Sequence, residues 1–264
     1  MSVESAVFVD DLSVLDELDD DFDRLYFGNE FCDKRLPEAS EVRAARDEAD
    51  RRGVDFSYVT PIVTPTKLEA VEEILTTLES IGADDELIFN DWGVYALADD
   101  LGAFDSLVAG RVLSRQKRDP TVTHLTDGGS VLVDEEGRRV SERVLEHFQK
   151  SSVNAPYSRS HLAERGIDRV ELDVLSQGVY DEDISFSASL YYPWNFLTVK
   201  RWCRESTTTP LCNEACEETV YSLDNQPVMP ETLYRKNNAV FVYNETVPDV
   251  SYVDREVFVP DPIN

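Results

Sequence analysis

Four cysteines are the residues of this 264-residue chain that point most directly to chemistry. Cys203, Cys212 and Cys216 form a C-x8-C-x3-C run, whereas Cys32 lies far upstream. Four thiolates are what one tetrahedral metal ion or one iron–sulfur cluster requires. The pattern therefore predicts a metal or cluster site that ties an early strand end to a late loop.

Two disulfides, or buried cysteines that bind nothing, are the alternatives to a metal site. The first residues lack the basic and apolar stretches of a secretory signal peptide, and no window approaches the roughly 20 apolar residues of a membrane span. We therefore expect a cytoplasmic protein, in which reducing conditions disfavour disulfides. The lone C-x3-C and the lack of any C-x2-C favour a [4Fe-4S] cluster, and structural zinc is the alternative.

The chain is strongly acidic, with 53 Asp and Glu against 25 Lys and Arg and a formal charge of −28. Combined with few lysines and 42% hydrophobic residues, this charge is typical of a cytoplasmic protein from a halophilic archaeon. An acidic mesophilic protein is the alternative. The charge argues against nucleic-acid binding by this chain alone, because such binding needs a basic surface.

Strands and helices alternate along the sequence. Periodicity and turn signals predict strands at 22–28, 55–63, 86–91, 106–113, 169–173, 184–192 and 238–244. They predict helices at 38–52, 67–82, 92–102, 142–150 and 158–166. This order favours an α/β fold, and specifically a (β/α) barrel of the TIM type. An incomplete or distorted barrel also fits the order.

Three segments are predicted to lie outside the regular barrel units. Two turn signals flank an apolar run at 123–141 and predict an inserted β-hairpin. Residues 1–21 are predicted to form an acidic N-terminal extension, and 245–264 a peripheral C-terminal segment. We expect a single barrel-like domain over 1–264.

Polar residues collect at predicted strand ends, where such barrels place their chemistry. The candidates of this kind for substrate binding are Asn90, Asp91, Glu171, Asp173, Tyr192 and Asn195. Each has a structural alternative, such as a helix cap for Asn90 and Asp91 or a packed turn at Pro193.

A basic cluster follows the strand predicted at 106–113. It contains Arg111, Arg115, Lys117 and Arg118, in a chain that is otherwise poor in cations. Because arginine binds carboxylates through a two-pronged fork, Arg111, Arg115 and Lys117 are candidates for binding a small anionic substrate. Salt bridges to the abundant acidic side chains are the alternative.

Several sequence blocks between residues 25 and 216 together resemble the UbiV branch of peptidase family thirty-two, a family of unknown catalytic type. The blocks are LYFGNEFCDKR, YVTPIVT, IFNDWG, LVAGRVLSRQKRDP, RVELD, LYYPWNFLTVKRWC and the C-x8-C-x3-C run. The resemblance implies a barrel-like fold and an oxygen-sensitive [4Fe-4S] cluster, with Cys32, Cys203, Cys212 and Cys216 as its ligands. It also implies a heterodimer with a UbiU-like paralogous protein.

The function that this resemblance implies is a part in oxygen-independent hydroxylation, as in quinone biosynthesis, with a prephenate-like anionic donor and an aromatic acceptor. The alternatives are an RNA-base hydroxylation factor, a structural zinc-binding barrel protein, and a peptidase, since some family members are described as collagenase-like proteases. The sequence argues against the peptidase, because His124, His147 and His161 form no H-E-x-x-H motif and no G-x-S-x-G elbow occurs. No catalytic residue is assigned.

Overall fold

The computed structural model describes residues 3–18, 21–81, 85–102, 104, 106–118, 142–181, 185–200, 203, 220–223 and 231–262. The strands are β1 (Glu4–Val9), β2 (Arg24–Gly28), β3 (Asp55–Val59), β4 (Glu86–Phe89), β5 (Ser106–Ala109), β6 (Arg169–Asp173), β7 (Ser187–Tyr192), β8 (Trp194–Val199), β9 (Val220–Leu223), β10 (Leu233–Lys236), β11 (Ala239–Tyr243) and β12 (Val253–Phe258). The α-helices are α1 (Ala39–Arg52), α2 (Leu68–Ile81), α3 (Trp92–Leu101), α4 (Arg111–Ser114), α5 (Glu142–Gln149) and α6 (Pro156–Ala163).

Eight parallel strands close into a barrel in the order β1-β12-β7-β6-β5-β4-β3-β2, which confirms the predicted α/β barrel. Helices cover the outside of the ring through apolar stripes. In α2, Val71, Ile74, Leu75 and Leu78 are buried at the three- and four-residue spacing of one helix face. None of the helices in the described ranges is long and apolar enough to cross a membrane.

The terminal segments 1–21 and 245–264, which the sequence places at the periphery, contribute two adjacent barrel strands. β1 pairs in parallel with β2 on one side and with β12 on the other. Phe8 of β1 and Val257 of β12 are buried in the barrel interior. The prediction of peripheral segments is wrong at these strands. Both strands are short, and the acidic residues around them conceal their apolar pattern.

A second, antiparallel sheet has the strand order β8-β11-β10-β9, and the strand predicted at 238–244 forms part of it as β11. The loop after β2 packs against this sheet through Phe31. The ring centroid of Phe31 lies 4.8 Å from that of Phe196 and 5.7 Å from that of Phe241. The predicted hairpin at 123–141 lies outside the described residues, and the grouping of barrel and sheet in one domain stays a prediction.

Two glycines permit close approaches at the carboxyl ends of strands. Gly28 ends β2 with φ of +139°, and a Cβ atom there would lie 2.1 Å from the carbonyl oxygen of Val59. A Cβ atom on Gly110, directly after β5, would lie 2.2 Å from the side-chain oxygen of Asn90. Glycine at these positions therefore allows the strand ends and their loops to converge on the mouth of the barrel.

Candidate functional site

A buried arginine joins two acidic side chains at the carboxyl end of the barrel. Arg111 begins α4, Glu30 follows β2, and Asp173 ends β6. The guanidinium donates from Nε to Glu30 Oε1 at 3.2 Å, from Nη2 to Glu30 Oε2, and from Nη1 to Asp173 Oδ1 at 2.7 Å. All three side chains are 0% exposed. The parallel strand ends thus bring together residues that are distant in sequence.

Arg118 extends this network to the second sheet. Its Nη1 donates to Asp173 Oδ2 and, at 2.7 Å, to the carbonyl oxygen of Phe196. The backbone N–H of Phe196 in turn donates to Asp173 Oδ1 at 3.0 Å. We call Glu30, Arg111, Arg118 and Asp173 the mouth network; it fastens β8 to the barrel.

The charges of the mouth network balance, with two carboxylates facing two guanidinium groups. Burial raises the pKa of Glu30, while the charge of Arg111 opposes that rise. Burial lowers the pKa of Arg111, but the charges of Asp173 and Glu30 outweigh it and raise that pKa overall. In this arrangement Arg111 is occupied by internal ion pairs, as in the salt-bridge alternative. Its role in binding an anionic substrate stays a prediction.

Aromatic rings surround the two arginines of the mouth network. The Arg111 guanidinium carbon lies 4.0 Å from the ring centroid of Tyr191, and that of Arg118 lies 3.9 Å from that of Phe196. Such cation–π contacts favour a charged guanidinium away from water. The predicted site residue Tyr192 lies on the opposite face of β7, with its ring 5.6 Å from that of Phe258. The adjacent Tyr191 is therefore the tyrosine that faces the network.

The predicted residues at the end of β4 hold loops in place. Asn90 is buried; its Nδ2 donates to the carbonyl oxygen of Thr60 at 2.9 Å, and its Oδ1 accepts from the N–H of Val112 at 3.1 Å. Asp91 caps α3 by accepting from the N–H of Gly93 at 2.7 Å. Asp91 is thus the helix cap of the structural alternative, whereas Asn90 joins the loops after β3 and β5.

Three other predicted site residues, Arg115, Lys117 and Asn195, are not members of the mouth network. Arg115 is exposed, in a left-handed conformation with φ of 47°. Lys117 donates from Nζ to the carbonyl oxygen of Lys150 at 3.0 Å, and burial, together with the charge of Lys150, lowers its pKa. Asn195 is buried in β8 and donates to the carbonyl oxygen of Pro193 at 2.9 Å.

Glu171 lies in the middle of β6, inside the barrel rather than at its mouth. It is 0% exposed, and its Oε1 lies 3.4 Å from the hydroxyl oxygen of Tyr26. Burial raises the pKa of Glu171 to about 7, against the opposing charge of Arg255. A carboxyl group with this pKa is about half protonated at neutral pH.

Two of the four cysteines lie in the described residues. Cys32 is buried directly after Phe31, and its N–H donates to Asn29 Oδ1 at 2.9 Å; Cys203 is partly buried, shortly after β8. The Nδ2 of Asn238 donates to the carbonyl oxygens of both Phe31, at 2.7 Å, and Lys200, at 2.8 Å. One amide group therefore ties together the segments that lead into these two cysteines.

The metal site predicted from the four cysteines stays a prediction. Cys212 and Cys216 lie outside the described residues, and within the described ranges no group of three or more metal-ligating side chains occurs. The apolar cluster of Phe31, Phe196, Ala239 and Phe241 lies beside Cys32. Exposure to solvent is one of the factors that set the reduction potential of a bound iron–sulfur cluster.

Three residues of the site are absent from the predicted set, namely Glu30, Arg118 and Tyr191. Glu30 lies two residues before Cys32, at the end of a predicted strand. This position is a sequence signal by which Glu30 could have been identified as a site residue. Arg118 belongs to the basic cluster, but only the fold reveals that it pairs with Asp173. Tyr191 and Tyr192 face opposite sides of β7, and the sequence alone does not decide which of them faces inward.

Comparison with known proteins gives one similarity to report. No family model matches the chain, and no curated protein is significantly similar to it. A solved structure described as that of the U32 peptidase Mk0906 is similar with a TM-score of 0.42 and 17% sequence identity, over 99% of this chain and 93% of that chain. Similarity at this level does not assign the chain to a family.

Proposed function

We propose that this chain is the iron–sulfur subunit of an oxygen-independent hydroxylase. Cys32, Cys203, Cys212 and Cys216 would hold a [4Fe-4S] cluster, and a UbiU-like paralogue would complete the enzyme as a heterodimer. The observation that carries the proposal is the double hydrogen bond of Asn238, which ties the segments of the early and the late cysteine together.

A cluster with four thiolate ligands supplies one-electron transfer when it is bound. The surrounding residues of this chain orient its ligands and limit water. The Cys32 N–H donates to Asn29 Oδ1, and the ring of Phe31 packs against that of Phe196. Ordered ligand segments and an apolar surrounding both favour retention of a cluster.

The proposed hydroxyl donor is a small, prephenate-like anion, and an aromatic molecule such as a quinone precursor is the proposed acceptor. Arg115 is exposed in this structure, whereas Arg111 is sealed in ion pairs with Glu30 and Asp173. An anion that reached Arg111 would have to displace one of these carboxylates. Binding at Arg115 and Lys117 therefore requires the smaller rearrangement.

The test is an anaerobic purification in high salt, which the charge of −28 calls for, with iron, sulfide and zinc analysis and a visible spectrum. We expect about four irons and four sulfides per chain. Each Cys→Ser variant should lose the visible absorbance, while Glu205→Gln, close to Cys203 but without a thiolate, should keep it. Copurification with the coexpressed paralogue tests the heterodimer.

Other outcomes would overturn the proposal. A colourless protein with about one zinc per chain would favour the structural zinc-binding barrel. A protein without metal after anaerobic reconstitution would remove the redox function altogether. Peptide cleavage that survives all four Cys→Ser substitutions would favour the peptidase alternative.

A further inference from the structure

The lower half of the barrel interior is polar. Barrels of this type usually fill their interior with branched apolar side chains. Here, buried or half-buried charged and hydroxyl side chains from seven strands meet. They are Glu4, Arg24, Tyr26, Ser57, Glu86, Glu171, Ser189 and Arg255, and we call them the axial network. None of them belongs to the mouth network or the cysteine segments.

Hydrogen bonds connect the axial network from solvent to Glu171. The Glu4 carboxylate, 25% exposed, accepts from Arg255 Nε at 2.6 Å. Arg255 Nη1 donates to Glu86 Oε1 at 2.6 Å and to Tyr26 Oη at 2.5 Å, and Tyr26 Oη donates to Glu171 Oε1 at 3.4 Å. A buried carboxyl group is thus linked to the amino-terminal end of the barrel.

The network stops at two buried oxygen atoms. Glu171 Oε2 and Tyr191 Oη have no hydrogen-bond partner among the residues that the structure describes. The parallel register pairs Glu171 with Ser189 and Asp173 with Tyr191. Tyr191 therefore lies one inward-facing position closer to the mouth of the barrel than Glu171 does. The Tyr26 and Tyr191 rings meet edge to face, with centroids 6.1 Å apart. Two unsatisfied oxygens in one region are costly unless a water molecule joins them.

Among the carboxyl groups of the axial network, Glu171 is the one whose negative charge is least compensated by hydrogen bonds from arginine. Arg255 donates to Glu4, Glu86 and Tyr26, and no hydrogen bond from it to Glu171 occurs among the described residues. The groups that face Glu171 are Arg255 from β12, Glu86 from β4, Tyr26 from β2, Ser189 and Tyr191 from β7, and Arg169 from its own strand. One arginine is therefore shared by three carboxyl groups.

We propose that Glu171 is an internal proton-binding site, at which its carboxyl group, Tyr191 and one ordered water molecule form a hydrogen-bonded unit that exchanges its proton with solvent. Uptake adds one proton to the carboxylate and makes or breaks no other covalent bond. The net charge of the unit rises by one, and the charges of Arg255 and Glu86 do not change. The water would lie between Glu171 Oε2 and Tyr191 Oη, bridging the axial network to the residues beneath Arg111.

Infrared spectroscopy of the whole protein tests this proposal whichever metal is bound. We expect a carboxylic-acid C=O band that is present in acid and lost with a midpoint at a pH of about 7. Glu171→Gln should remove this band, whereas Glu256→Gln, on the outer part of β12, should keep it. Tyr191→Phe should shift the midpoint, because it removes one partner of the water.

Two results would overturn the proposal. The first is a wild-type spectrum in which no acid band titrates above a pH of about 5, the range of an ordinary Glu. The second is a well-ordered crystal structure without a water molecule between Glu171 Oε2 and Tyr191 Oη. Since neither result depends on iron or zinc, failure here is separable from failure of the proposed cluster.

Discussion

The Asp173 carboxylate accepts a hydrogen bond from the backbone N–H of Phe196 at 3.0 Å while it pairs with Arg111 at 2.7 Å. One side chain at the end of β6 thus serves both the barrel and the second sheet. The contact explains how β8 stays on the barrel mouth, with Phe196 and Phe31 in ring contact. Loss of this carboxylate should therefore affect both parts of the molecule.

Asp173→Asn should destabilise the protein by about 3–5 kcal/mol, because it leaves Arg111 and Arg118 with too little negative charge in a buried site. Urea denaturation of the purified variant measures the change in the free energy of unfolding.

Asp254→Asn is the matched control for this substitution. Asp254 pairs with Arg169, but its side chain is 41% exposed, and surface pairs contribute about 0–1 kcal/mol. Equal losses of stability in the two variants would contradict the role assigned to the mouth network.

The stability of the protein should depend on Glu171 in a defined pH window. Its pKa is raised from 4.5 to about 7 in the folded protein, so the unfolded chain loses this proton first as the pH rises. The contribution of this group to stability is thus full below a pH of about 4.5 and is lost progressively up to a pH of about 7, by about 3 kcal/mol at most.

Glu171→Gln should remove this dependence. The variant should gain stability relative to the wild type as the pH rises through the window, because glutamine does not ionise. Urea denaturation of both proteins at several pH values measures the difference. A difference that is constant with pH would show that Glu171 has the same pKa in the folded and the unfolded protein.

For the proposed cluster, Asn238→Ala should weaken metal retention while the barrel stays folded. The substitution removes the donor to the buried carbonyl oxygen of Phe31 and to that of Lys200, at a cost of about 1–3 kcal/mol. The rate of metal loss to a chelator is the measurement. Asn244→Ala, which removes a donor to the carbonyl oxygen of Val174, is the control and should retain metal as the wild type does.

Gly28→Ala should be among the most damaging single substitutions in the barrel. The added Cβ would meet the Val59 carbonyl oxygen at 2.1 Å, and we expect a loss of about 4 kcal/mol or more. Gly53→Ala is the control, since Gly53 also has positive φ but nothing lies within 4 Å of an added Cβ. That variant should lose about 1 kcal/mol. Similar melting temperatures for both variants would contradict the close-approach argument.

The sequence predicts the barrel because its strands and helices alternate with clear periodicity. Helices such as α1, which begins with a capping box and ends at Gly53, carry local signals that tertiary contacts reinforce. β1 and β12 escape prediction because each is six residues long and surrounded by acidic residues. Their role follows from closure of the ring, which no local pattern encodes.

The site was predictable only in part. The strand-end rule draws attention to Asp173 and the basic cluster to Arg111, and the structure brings these two residues into contact. Their role in substrate binding stays a prediction. The strand-end rule also points to Glu171, which lies two residues too early in β6 to reach the mouth. Pairings such as Arg111 with Glu30 join residues far apart in sequence, so they depend on the order of strands around the ring.

Closure of the ring also has a consequence for biosynthesis. Because β12 pairs with both β1 and β7, the ring stays open on the ribosome until Phe258 has been translated and has left the exit tunnel. Until then the nascent chain exposes two unpaired strand edges, and the carboxylates of Glu4 and Glu86 lack Arg255. Repulsion between acidic side chains during that interval should help to keep incomplete chains from associating with one another.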